Sequence, residues 1–199
     1  IFVVDQLPEG DGFPEAGQKL ECSDSDLQKA LEKLSQINQT HIQIGGPVPI
    51  ALSVHAAWSR QIATLFAFAG TDATRWTISG ELHAKGVRSQ LVSPNNSVSA
   101  SSIIWVDKQT GARSVLYSRG SKIPISDFEI EHLISKNEIQ ARSILHIDAT
   151  EPIASKFAAE QIREKGGLVY LDTGDFKTFP DGTSTLDILE LANIIQLPL

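Results

Sequence analysis

The chain has 199 residues, enough for one domain with a sizeable core, and 41% of them are apolar. Its 24 acidic and 17 basic residues leave a formal charge of −7, both signs dispersed, which excludes the clustered Lys and Arg of a nucleic-acid or anionic-membrane binder. The apolar runs are strand-sized, far short of the ~20 residues that cross a bilayer, and no basic-then-apolar secretory signal opens the chain.

Ile1-Phe2-Val3-Val4 reads as a strand entered in mid-course, ended by the turn Pro8-Glu9-Gly10-Asp11-Gly12. Gln18 to Glu21 is a second short strand. Ser25 is placed to cap a helix, with Gln28 at the capping-box position. Leu27, Ala30, Leu31 and Leu34 then recur at i, i+3, i+4 and i+7, an amphipathic helix. After Gly45-Gly46-Pro47 the apolar run Ile50 to Trp58 predicts a buried helix. Ala63 to Ala69 predicts a strand that ends at Gly70-Thr71-Asp72, and Thr77 to Ala84 a helix stopped by Lys85-Gly86.

Ser97 to Val106 and Ala112 to Tyr117 are β-rich and flank Asp107-Lys108-Gln109-Thr110-Gly111, the pattern of a hairpin. A helix over Asp127 to Leu133, a strand over Ser143 to Ile147, a helix over Pro152 to Lys165 and a strand over Leu168 to Leu171 follow. A helical turn near Leu186 to Leu191 leads into Ile194-Ile195. From Ile50 onward strands and helices alternate, which implies β–α–β units and a parallel sheet covered by helices. Strands near 63–69, 143–147 and 168–171 are expected in one sheet. Residues 1–4, 18–21, 97–106 and 112–117 are expected to form a smaller sheet that stands off it.

Three features carry chemistry. Gly45-Gly46 precedes a helix, where a bare backbone permits close approach of a ligand and the first N–H groups face outward. Ile144-Leu145-His146-Ile147-Asp148 places a carboxylate at the carboxyl end of a strand, where α/β sheets bind ligands. Asp172 ends the next strand in the same way and reads as a structural strand end. Thr110-Gly111-Ala112-Arg113 puts a guanidinium at the start of the hairpin's second strand. His83 and His146 lack partners at metal-ligand spacing and read as packing or surface residues. The single Cys22 cannot form an internal disulfide and fits a reducing, cytoplasmic setting. No Gly-x-Gly-x-x-Gly follows a strand, which argues against a dinucleotide-binding domain.

In this order the motifs resemble the ribokinase-like (PfkB) family of carbohydrate kinases. Gly45 to Asp72 is similar to its first signature: Gly-Gly, a small-residue helix, an apolar strand, then Gly-x-Asp. Glu81 to Val87 resembles the helix that runs into the lid, and Thr110 to Tyr117 resembles a lid strand, notably those of the family's ketohexokinases. Residues 23–44 look like the inserted helix of its adenosine-kinase-like branch. The resemblance implies a three-layer α/β fold with a mainly parallel sheet and a small β lid, at about 1–22 and 96–119, in a single domain. It implies transfer of a phosphoryl group from ATP, with Mg²⁺, to a sugar hydroxyl. Gly45, Gly46, Arg113 and Asp148 are the expected substrate contacts, and a homodimer paired through the lid is the expected assembly. The family's first strand with its sugar-gripping Asp, its Asn after Gly-Gly, its Asn-x-x-Glu and its Gly-Ala-Gly-Asp are not found. The general base is therefore expected beyond Leu199, and the 199 residues are expected to be a fragment without activity of its own. The alternative is an inactive sugar-binding or regulatory protein of the same fold.

Overall fold

A computed structural model describes residues 2–4, 13–36, 43–93, 96–121, 131, 132, 135, 143–148, 152–173 and 184–197. The chain divides into two compact units: residues 1–44, 68–81 and 93–122 in the first, and 45–67, 82–92 and 123–199 in the second. The turn Pro8–Gly12 and most of the helix expected over 127–133 lie outside the described residues.

The first unit is built on one four-stranded sheet. Strand β1 (Phe2–Val4) and strand β2 (Lys19–Glu21) are its outer members; α1 (Asp24–Ser35) follows β2. The central pair is β5 (Ser101–Asp107) and β6 (Arg113–Ser118), antiparallel, with Ile103 opposite Leu116 and Trp105 opposite Ser114. β1 lies parallel to β5 and β2 parallel to β6, so the four β-rich segments of the sequence do share one sheet. The hairpin turn is set by Asp107, whose carboxylate accepts from the Gln109 and Thr110 amides and the Thr110 hydroxyl.

The periodicity of α1 is used as read. Leu27, Ala30 and Leu34 are buried against Ile103, Trp105 and Leu116, with Leu31 packed beside them. Its cap is Ser23 rather than Ser25: Ser23 has an extended backbone, and its hydroxyl accepts from the Asp26 amide at 3.2 Å. Asp24 and Asp26 then occupy the first turn, where carboxylates favour the helix dipole. A run of Ser and Asp offers several equivalent caps, and only the entry angle of the chain from β2 chooses among them.

The second unit contains α2 (Pro47–Ser59), β3 (Ala63–Phe68), which ends at its border, β4 (Val87–Val92) and a three-stranded sheet. That sheet is parallel, in the order β7 (Ile144–Ile147), β8 (Leu168–Asp172), β9 (Ile194–Gln196). Helix α4 (Pro152–Glu164) crosses from β7 to β8, and α5 (Thr185–Leu189) precedes β9. Ala159, Ile162 and Ile188 from the helices are buried with Ile147, Val169 and Leu171 from the strands. Helix α3 (Ala73–Ala84) joins β3 to β4 and stops at Gly86, whose φ of +77° supplies the expected left-handed end.

Two expectations are corrected. Among the described residues β3 does not pair with β7 or β8; it pairs with β4, a stretch past the Lys85-Gly86 helix stop to which the sequence pattern assigns no element. Helix α2 buries none of its residues, and Ile50, Val54 and Trp58, one stripe at i, i+4 and i+8, are exposed. Apolar composition states what a helix can bury, whereas burial needs a surface to be buried against.

Candidate functional site

The carboxyl ends of β7, β8 and β9 bring the expected Asp148 into polar company. Ile147 pairs with Leu171, and Asp148 and Asp172, both half-buried, come next on their strands. Asp172 in turn pairs with Gln196 at the end of β9. Two residues back, His146 pairs with Tyr170, and the two rings meet edge to face with centroids 4.7 Å apart. The Tyr170 hydroxyl donates to the Gln196 side-chain oxygen. Thr173 is buried beside them, its amide and hydroxyl both donating to the Gln196 carbonyl at 3.2 Å.

Burial pushes the His146 imidazole below its ordinary value of 6.5, and the Asp172 and Asp148 carboxylates pull it partly back. Its Nε2 is buried without a hydrogen-bond partner among the described residues. The strand ends thus present two carboxylates, which accept from hydroxyls, beside a neutral imidazole and a tyrosine–glutamine pair. Among the described residues no three of His, Cys, Asp and Glu converge to hold a metal ion. These residues do not fit a Mg²⁺ held by protein ligands alone.

Gly45 and Gly46 are exposed just ahead of α2. Gly46 is the N-cap with φ +94°, and a Cβ there would meet nothing closer than 3.5 Å, so backbone angle rather than space demands glycine. The helix mouth is poorer in donors than the Gly-Gly pattern suggests. Two of its first three residues are prolines, Pro47 and Pro49, leaving the Val48 and Ile50 amides to face outward. Arg113 opens β6 and is exposed opposite Val106. Gly45, Gly46 and Asp148 belong to the second unit and Arg113 to the first.

Sequence reasoning overlooked Asp72 as an anchor. Its carboxylate accepts from the Ser99 amide at 2.7 Å and from the Ser99 hydroxyl at 2.8 Å. Burial pushes this carboxyl upward, but bonds from Ser99 and from the Arg75 and Thr74 amides outweigh it, holding Asp72 below its ordinary 3.8. The Gly-x-Asp turn after an apolar strand was the available signal; its partner, Ser99, sits in a run of small polar residues that marks nothing by itself.

The sequence matches no protein-family model and no curated protein. The fold is that of known structures: this is the three-layer ribokinase-like α/β fold. Adenosine kinase from Anopheles gambiae, solved with P1,P4-di(adenosine-5) tetraphosphate, superposes with a TM-score of 0.72 at 12% identity, over 91% of this chain and 55% of that one. Adenosine kinase from Schistosoma mansoni, solved with tubercidin, gives 0.70 at 12% identity over 97% and 58%. A probable sugar kinase from Rhizobium etli gives 0.59 at 15% identity over 77% and 52%. The chain therefore spans little more than half the length of these structures.

Proposed function

We propose that this chain is part of an ATP-dependent kinase that phosphorylates a hydroxyl of a small sugar, either free or as the ribose of a nucleoside. The observation that carries the reading is the fold, shared along nearly the whole chain with adenosine kinases and, over a shorter stretch, with a sugar kinase. Phosphoryl transfer asks a protein mainly to position the two substrates and to balance charge. The strand-end carboxylates suit the acceptor half of that task. Asp148 accepts a hydrogen bond from an acceptor hydroxyl, and the Gly45-Gly46 turn lets the ring approach the backbone. Arg113 suits a phosphate, because a guanidinium pairs with it through two parallel bonds. Mg²⁺ would accompany the nucleotide on its phosphates.

The four-stranded sheet has β1 and β2 at its edges, and β2 is exposed throughout. An open edge favours pairing with another strand, which supports a homodimer formed through this sheet. Among the described residues no helix is long and apolar enough to cross a membrane, and the unpaired Cys22 fits the cytoplasm.

The test is calorimetric titration of the chain with ribose and adenosine, repeated for Asp148→Ala. The variant should weaken sugar or nucleoside binding by about tenfold, the loss of one hydrogen bond to a charged group. Failure of the native chain to bind either acceptor would overturn the reading. Unchanged acceptor affinity in Asp148→Ala would remove that residue from the site.

A further inference from the structure

The two strands of the β5–β6 pair leave the sheet side by side, and both are pinned where they do so. Residues 97–99, just before β5, run between Gly70 and Gly120. A Cβ on Gly70 would lie 2.4 Å from the Ser99 nitrogen and 2.6 Å from the Ser97 oxygen. A Cβ on Gly120 would lie 2.3 Å from the Val98 oxygen and 2.8 Å from the Ala100 nitrogen, and its φ is +64°. Both positions exclude any side chain, one by space alone and the other by space and backbone angle.

Hydrogen bonds close the assembly from each side. The Thr71 amide donates to the Ser97 carbonyl at 2.9 Å, and the Gly70 amide to the Ser99 hydroxyl at 2.9 Å. That hydroxyl in turn donates a hydrogen bond to the Asp72 carboxylate, which also accepts from the Ser99 amide. Past β6, the Ser121 amide donates to the Val98 carbonyl at 2.9 Å, and the Val98 amide to the Ser121 hydroxyl at 2.8 Å. β5 begins at Ser101 instead of Ser97: the Ser97 carbonyl and the Ser99 amide turn to Thr71 and Asp72, and only Val98 stays tied to the β6 side, through Ser121. Ser97 and Ser99 are almost fully buried, so a lost partner there is not replaced by water.

From this geometry we infer that Asp72 is a positioning residue, which fixes, through Ser99, the angle at which the β5–β6 pair leaves the turn after β3. As a determinant of the proposed reaction this rests on the reading given above, in which Arg113 of β6 meets a phosphate; as a fixed pivot it stands on the geometry alone. Asp72 does the fixing because it is the one group that receives both donors of Ser99. The glycines make room, and the Gly70 amide adds one bond to the Ser99 hydroxyl.

The experiment measures residual dipolar couplings of backbone amides in the native chain, Asp72→Asn and Ser99→Ala, alongside titration with adenosine and ribose. An asparagine keeps the size of Asp72 but turns an NH₂ toward one Ser99 donor. In the native chain the couplings of β5–β6 and of residues 73–81 of α3 should fit one alignment frame. In Asp72→Asn each should still fit its own geometry but require two frames, and acceptor affinity should fall by about fivefold or more. Ser99→Ala retains the amide bond to Asp72 and should show the same change to a smaller degree; it carries the test if Asp72→Asn does not fold. A single frame in the folded variants overturns the pivot. Two frames with unchanged acceptor affinity overturn the positioning role. Absence of binding to the native chain overturns the proposed activity instead, while the couplings still decide the pivot.

Discussion

Gly17 and Ser114, 97 residues apart, are joined by a bond of 2.9 Å from the Gly17 amide to the Ser114 hydroxyl. That hydroxyl donates in turn to the Glu15 carbonyl at 3.1 Å, and Ser114 is fully buried on β6. One side chain thus anchors the loop that delivers β2 to its place beside β6. Ser114→Ala leaves a backbone donor and an acceptor without their partner, and such orphaning costs about 1–3 kcal/mol. Urea unfolding should show that loss, with an unchanged slope if the variant keeps the same compact state. A loss under about 0.5 kcal/mol, the scale of an ordinary surface change, would mean that the loop is not held by this residue.

The three tryptophans report different environments. Trp58 is 86% exposed and Trp76 74%, whereas Trp105 is 0% exposed, with Phe13 packed edge-on at 5.6 Å. Acrylamide should quench most of the emission readily and leave a protected fraction that vanishes in Trp105→Phe. The indole N–H of Trp105 is buried without a hydrogen-bond partner among the described residues. Phenylalanine removes that unmet donor along with some apolar area, so Trp105→Phe should destabilise far less than the roughly 3–5 kcal/mol expected of Trp105→Ala. Equal losses in the two variants would contradict this packing.

Cys22 should be a slow thiol. Burial raises its pKa, and the carboxylates of Asp26, Asp24 and Glu21 raise it further, against a lowering by the Leu27 amide. Since the thiolate is the nucleophile, modification near neutral pH should be slower than that of free cysteine. Replacing Asp24 and Asp26 with Asn should speed it. A native rate equal to or above that of free cysteine would count against this environment.

His146 gives a pH dependence of defined sign. Its folded pKa lies below the ordinary 6.5 because burial disfavours the charged ring. The unfolded chain therefore takes up this proton first as pH falls. The stability from keeping the ring neutral is complete above about 6.5 and is lost through the window below it. NMR titration should place the His146 midpoint below 6.5, and His146→Phe should flatten the fall of stability in that window. A midpoint above 6.5 would mean that Asp148 and Asp172 outweigh burial, reversing the sign.

Much of the fold was legible because it is local. The spacing of Leu27, Ala30, Leu31 and Leu34, the turn residues Asp107 to Gly111 and the glycine stop at Gly86 act over a few neighbouring residues, and each forms the element its pattern implies. The strand-end position of Asp148 was legible for the same reason. Its setting was not: Tyr170 meets His146, and Gln196 meets Asp172, only through the pairing of β7, β8 and β9, a choice of register between distant segments. The pairing of β3 with β4 belongs to the same class of decision.

Sequence alone determined the alternation of elements, the membership of the four-stranded sheet and the absence of the charge pattern that nucleic acids require. Tertiary structure alone decided that the apolar helix Pro47–Ser59 is exposed, that Ser23 rather than Ser25 caps α1, and that Asp72 finds Ser99 across 27 residues. The physical reason is common to all three. Periodicity and turn chemistry express local conformational preference, while burial, cap selection and buried polar pairing depend on which distant surface arrives to satisfy them.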